Sequence, residues 1–109
     1  MIFRGTATDT VVLFVTAGGN RVDPESAASL AGEALAPADA AFVRARTGFV
    51  IGGVAPVGHL EPPRAFFDPR LLEFEVIWAA AGTPRHVFPA EPGPLMIAAG
   101  AKPVGFSAA

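Results

Sequence analysis

The sequence predicts an α+β fold: a mixed β-sheet with short helices packed around it. Three observations carry that expectation. Apolar, β-branched runs are short and are bounded by Gly, Pro, Asn and Asp. Asp-Pro pairs at Asp23-Pro24 and Asp68-Pro69 mark helix starts, because Asp caps free amides and Pro at the first helical position gives up no hydrogen bond. Strands and short helices interleave without a regular βαβ rhythm, which favours a mixed sheet.

In chain order, Ile2 to Arg4 is a short extended stretch. Val11 to Thr16 (VVLFVT) reads as a strand buried on both faces, and Thr8-Asp9 supplies the turn between the two. Ala17-Gly18-Gly19-Asn20 ends that strand. The helix opened by Asp23 is expected to bury Ala27, Leu30, Ala31, Ala34 and Leu35 and to stop at Pro37. Asp39 starts a second short helix with Phe42 and Val43 inward, closed by Gly48. Phe49-Val50-Ile51 reads as a brief strand, and Arg64 to Phe67 as another. Asp68 opens a short helix through Leu71, Leu72 and Phe74. Glu75 to Ala81 is a strand candidate, Gly82-Thr83-Pro84 a turn, and His86-Val87-Phe88 the returning partner. Pro92, Pro94 and Pro103 leave room for at most a short helix between Leu95 and Ala99. Trp78 with Phe66, Phe67, Phe74 and Phe88 reads as core.

The 109 residues suit one domain, taken here as 1–109, which buries about two thirds of the surface of its unfolded chain. Such a core needs no metal and no disulfide. Cysteine is absent, which excludes disulfides, a thiol nucleophile and thiolate zinc sites, and fits a cytoplasmic setting. No apolar run approaches the roughly 20 residues of a bilayer span. MIFRGTATD lacks the pattern of a secretion signal. We therefore expect no membrane partner. The net charge of −2 argues against strong non-specific DNA binding, while a local RNA contact remains open. The cations are seven Arg and the single Lys102.

Candidate chemistry concentrates in RTGFVIGGVAPVGH, Arg46 to His59. Glycines at 52, 53 and 58 and Pro56 follow an apolar stretch directly. Glycine lets a ligand approach the main chain, and exposed amides in such a bend hold an oxyanion or a phosphate. The plain alternative is a tight turn between strands. His59 reads either as a residue that orients water or contacts phosphate, or as a hydrogen-bonded surface histidine. His86 has the same two readings on its hairpin. Neither histidine has acidic partners at ligand spacing, so we expect no metal and no other cofactor. Asn20, Arg21 and Asp23 explain themselves as turn and cap. Arg44 and Arg46 form a solvated face or flank a phosphate site.

The chain resembles YbaK/ProX-type aminoacyl-tRNA editing domains, which deacylate mischarged tRNA. NRVD (Asn20 to Asp23), RTGFVIGGVAPVGH, FFDPRLLEFEVIWAAAGTP (Phe66 to Pro84) and HVF carry the resemblance in the right order across nearly the whole chain. The GxxxP pattern at Gly52 and Pro56 is the family's signature. The resemblance implies a curved mixed sheet around a pocket that takes the aminoacylated 3′ end of tRNA. It implies a catalytic role for Gly52 and Gly53, with Val54, Ala55 and Pro56 beside them on the substrate. His59 and His86 join these as substrate-binding candidates. Family members ordinarily have helices, a strand and a substrate-binding lysine ahead of the position of Met1, so the chain is expected to be an N-terminally shortened member. Lys102 does not match that lysine.

Three functions stay in view. The first is a trans-acting deacylase, and the second is a non-catalytic tRNA or small-ligand binding module on the same fold. The third is a self-associating domain. Missing N-terminal elements would leave VVLFVT and its neighbours uncovered, so a homodimer is expected.

Overall fold

The computed structural model of the chain describes residues 1–106. Two antiparallel strands, β1 (Ile2–Gly5) and β2 (Thr10–Val15), form a hairpin, with Ile2 opposite Leu13 and Gly5 opposite Thr10. Its turn closes where Asp9 adopts a φ of 55°, a conformation that Asp tolerates better than most residues. The chain then enters α1 (Pro24–Ala31), whose first turn is capped by the Asp23 carboxylate on Ser26 N at 3.2 Å.

The expectation of one helix through Leu35 fails at Gly32. That residue takes a φ of 74° and ends the helix after Ala31. The freed residues form a strand, β3 (Leu35–Pro37), antiparallel to β1. Next, α2 (Ala40–Thr47) runs from the Asp39 cap to Gly48, as the sequence predicts. Phe49-Val50-Ile51 is not a strand. Gly53 N bonds Val50 O at 3.0 Å and folds the segment into a turn around Gly52, whose φ is 86°.

Beyond that loop, β4 (Arg64–Phe67) pairs parallel with β2, and the 3-10 helix Pro69–Glu73 follows its Asp68 cap. A separate hairpin comes next, made of β5 (Ile77–Ala80) and β6 (Val87–Ala90). The last helix, α3 (Pro92–Ala98), begins three residues earlier than expected, because Pro92 sits in the first turn, where no amide is needed. It leads into β7 (Ala101–Pro103), a strand absent from the sequence reading, parallel to β4. The five-stranded sheet thus runs β3-β1-β2-β4-β7, and both of its outer strands end in proline. It is mixed, as expected.

The sheet buries both faces. On one face Phe14, fully buried, stacks on Phe66 at 5.3 Å and meets Phe3 and Phe106 edge-on at 5.7 and 4.9 Å. Ala27 and Ala31 of α1 close over this cluster. On the other, Phe67, Ile77 and Leu95 form a second cluster with Val57, Leu71 and Phe88 around them. Val11, Val12, Leu13 and Phe14 are all at most 5% exposed. The central strand is therefore covered by the chain itself, and the argument for a dimer that rested on its exposure lapses. The aromatic core is also smaller than expected. Phe66 and Phe67 are buried, but Phe74 is 46% and Trp78 67% exposed. Ile77 and Ala79 turn into the second cluster, so the alternation of a strand sends Trp78 to the opposite face.

Two carboxylates tie distant segments together. Asp68, 3% exposed, accepts from Ala17 N at 3.1 Å, Asn20 Nδ2 at 2.8 Å and Arg70 N at 3.0 Å. Glu33, whose side chain is 6% exposed, accepts from Ala7 N, Thr8 N and Thr8 Oγ1 and pairs with Arg64 of β4. Its carboxylate fills the space a side chain at Gly5 would need. Desolvation raises the Glu33 pKa, but the Thr8 hydrogen bonds, Arg64 and the Ala7 amide outweigh it and hold the value at about 2, below the ordinary 4.5.

Two stability measurements follow from this packing. Phe14→Ala is expected to cost about 3–5 kcal/mol in urea unfolding, as a truncated buried phenylalanine does. Glu33→Gln is expected to be less stable than the parent at pH 7. A carboxylate with a depressed folded pKa stabilises above its unfolded value and loses that contribution as pH falls toward the folded one. The gap between the two proteins should therefore narrow as pH falls from 4.5 to about 2. A pH-independent gap would refute the role given to the charge.

Candidate functional site

The glycine-rich segment is an excursion from the end of α2 that returns to the same place. Thr47, fully buried, starts it: its hydroxyl donates to Val43 O at 2.7 Å and accepts from Phe49 N at 3.0 Å. Leu60 N and Glu61 N come back to Thr47 O and Arg46 O, both at 3.1 Å. Those two carbonyls would otherwise be unpaired at the helix C-terminus. Pinned at both ends, the segment is a compact loop shaped by its own contacts.

Inside it, each glycine has a distinct job. Gly52 supplies the left-handed conformation of the turn. Gly53 is buried, and a methyl group there would overlap the backbone of Thr83 and Pro84 in the β5–β6 turn. The loop therefore packs directly on that hairpin. His59 braces the loop from within. Its Nε2 lies 2.6 Å from Ala55 O, and its ring meets Phe49 edge-on at 5.4 Å. Its Nδ1 is buried and has no hydrogen-bond partner among the described residues.

Between this loop, β2, the 3-10 helix and β5 lies an open cavity of about 260 Å³. Val54 and Pro56 line it from the loop, Thr16 from the end of β2, and Leu71 and Trp78 from the facing side. Among the described residues, the Val54 and Ala55 amides have no hydrogen-bond partner; Val54 lines the cavity and Ala55 lies buried behind it. The Met1 amino group also borders it and donates to Phe14 O at 2.9 Å; burial pushes its pKa below the ordinary value.

The seven predicted site residues thus fall into three groups. Val54 and Pro56 reach the cavity. Gly52, Gly53, Ala55 and His59 shape the loop behind it, with Ala55 only 5% exposed. His86 stands apart, exposed in the hairpin turn, where its Nδ1 shares a hydrogen bond with the Thr83 hydroxyl. Arg46 does not face this cavity: it holds Asp9 at 2.9 Å, lies near Glu61, and sits over the Phe42 ring. The sequence reading missed Thr16, Leu71 and Trp78 as lining residues. The only signal was the position of Thr16 at the end of a buried strand. Among the described residues, no group of His, Asp or Glu is arranged to hold a metal ion, and no helix is long and apolar enough to cross a membrane.

Comparison with known proteins places this architecture. The uncharacterized protein YwhH of Bacillus subtilis (strain 168) is 32% identical over 81 residues, 74% of this chain and 51% of that protein. The chain therefore spans about half the length of that relative. A solved structure reported as "Crystal structure of a putative trans-editing enzyme for prolyl tRNA synthetase" superposes with a TM-score of 0.93 at 40% identity, over 100% of this chain and 68% of that one. The hypothetical protein APE2540 superposes with a TM-score of 0.87 at 28% identity, over 99% of this chain and 71% of its own. The profile described as "Aminoacyl-tRNA editing domain" matches residues 1–96, and on that match the chain belongs to the aminoacyl-tRNA editing domain family.

Proposed function

We propose that the chain edits aminoacyl-tRNA in trans, hydrolysing the ester of a mischarged tRNA with the bend that begins at Gly52. The observation that carries this reading is a rigid loop in which Val54, its amide without a hydrogen-bond partner among the described residues, lines the cavity. Family membership and the likeness to a trans-editing enzyme support it.

The chemistry asks little of the side chains. Water attacks the ester carbonyl carbon, and negative charge develops on its oxygen. Preorganised main-chain donors stabilise that charge without having to reorient during the reaction. Collapse breaks the bond to the ribose oxygen, which leaves with a proton. The products are the free amino acid and a tRNA ending in a free hydroxyl. A hydroxyl or amine of the substrate itself assists proton transfer, so no protein nucleophile is required.

Roles follow from position. Val54 would present its amide, with Ala55 packed behind it. Gly52 and Gly53 would set the bend, Pro56 would stiffen it, and His59 would hold it through Ala55 O. His86 would touch the substrate only as an outer contact. The cavity of about 260 Å³ lies just below the ~300 Å³ lower end of small-molecule pockets, so it suits an aminoacyl group better than a whole nucleotide.

The test is deacylation of mischarged tRNA by the purified chain. Gly53→Ala forces the loop off the Thr83 backbone and is expected to slow hydrolysis about a hundredfold, the scale of a 1 Å misplacement in a catalytic site. Gly93→Ala, where the added methyl meets open space, is the control and should leave the rate unchanged. Equal rates for Gly53→Ala and the parent would refute the assignment of the loop.

A further inference from the structure

Trp78 is the chain's single tryptophan, and it is 67% exposed. Phe74 and Val76, 46% and 51% exposed, border the same opening as the indole, so Trp78 belongs to a group of exposed apolar side chains. It stands on the wall shared by two openings. One is the 260 Å³ cavity; the other is a shallower one of about 500 Å³ bordered by Gly18, Gly19, Asn20, Arg70 and Phe74. Thr16, Leu71 and Ile77 belong to both, so the two are continuous across Trp78.

The outer opening has the parts that single-stranded nucleic acid uses. Two exposed aromatic rings, Trp78 and Phe74, border it. The Arg70 guanidinium lies 4.8 Å over the Phe74 ring and pairs with exposed Glu73. On the opposite side, Gly18 and Gly19 leave open space where side chains would stand. Aromatic faces with a nearby cation bind successive bases with little regard for sequence. An aminoacyl group that fills the inner cavity must also leave its nucleotides outside, and this opening adjoins it directly.

We propose that Trp78 and Phe74, with Arg70 beside them, form a stacking platform for the bases that precede the terminal adenosine of a single-stranded 3′ end. The proposal rests on the editing reading for its substrate class, but not for its measurement. With one cation at the platform, affinity comes mainly from stacking. The log-log dependence of binding on salt should be shallow, with a slope of about −0.7.

Because Trp78 is the only indole, its fluorescence reports on the platform in the unaltered protein. Titration with the trinucleotide CpCpA is expected to quench it saturably, and free adenosine to quench it far less. Labelled CpCpA should bind Trp78→Ala about tenfold more weakly than the parent, with Trp78→Phe recovering most of the loss. In deacylation, Trp78→Ala should raise KM for mischarged tRNA more than KM for an aminoacyl ester of adenosine alone, and Phe74→Ala, which borders only the outer opening, should raise the former alone. Quenching by CpCpA in a chain that deacylates nothing would sustain the platform and refute the deacylase. Deacylation with no quenching and an unchanged KM would refute the platform alone. An indole already shielded in a dimer and indifferent to CpCpA would overturn it as well.

Discussion

The buried carboxylate of Asp68 is the constraint on which the working surface depends. A charge so deeply buried is tolerable only if hydrogen bonds replace its water. Its donors come from the residues after β2, from Asn20 at the far side of the Gly18-Gly19 bend, and from the first turn of the 3-10 helix. Ala17 N and Asn20 Nδ2 hold one wall, and Arg70 N holds the other. Thr16 is placed because Ala17 N is held, and Leu71 because the 3-10 turn is held. The carboxylate adds to the β2–β4 pairing, at whose end Asp68 N donates to Val15 O at 2.9 Å. The Asp-Pro pair that looks like a simple helix cap is thus also the point from which both openings are built.

The loop opposite follows a different logic. It contains no strand and little side-chain chemistry, yet its path is closely determined. The last carbonyls of α2 recapture its end, Gly53 meets the β5–β6 turn without a Cβ, and His59 holds a carbonyl from behind. These contacts engage carbonyls, while among the described residues the amide of the cavity-lining Val54 has no partner. A bend of this kind spends its rigidity on donors rather than on its own hydrogen bonding. That suits charge that appears only during a reaction.

What the sequence revealed was mostly local. The caps at Asp23, Asp39 and Asp68 and the stop at Gly48 depend on neighbours within four residues, and the structure has all of them. Errors arose where distant pairing decided the outcome. Leu35–Pro37 continues a helical pattern of small apolar residues, yet the conformation of Gly32 releases it to the edge of β1. Ala101–Pro103 has no alternation to read, and it becomes a strand only because β4 lies alongside. Trp78 is indistinguishable by composition from a core residue; only the inward choice of Ile77 and Ala79 sends it out. For the site, the glycine loop was visible because its residue types are unusual. Its cavity was not, since Thr16, Leu71 and Trp78 come from three elements whose meeting is tertiary.

The prolines that end both outer strands of the main sheet have a consequence for life at high concentration. An open sheet offers unpaired backbone at its margins, and neighbouring molecules can add to it as further strands in the first step of fibril growth. Pro37 and Pro103 lack the amide such an addition would need at those positions, and Pro89 removes another from the smaller hairpin. Three imino residues thereby act as guards against edge-to-edge aggregation, at sites where the fold itself needs no donor.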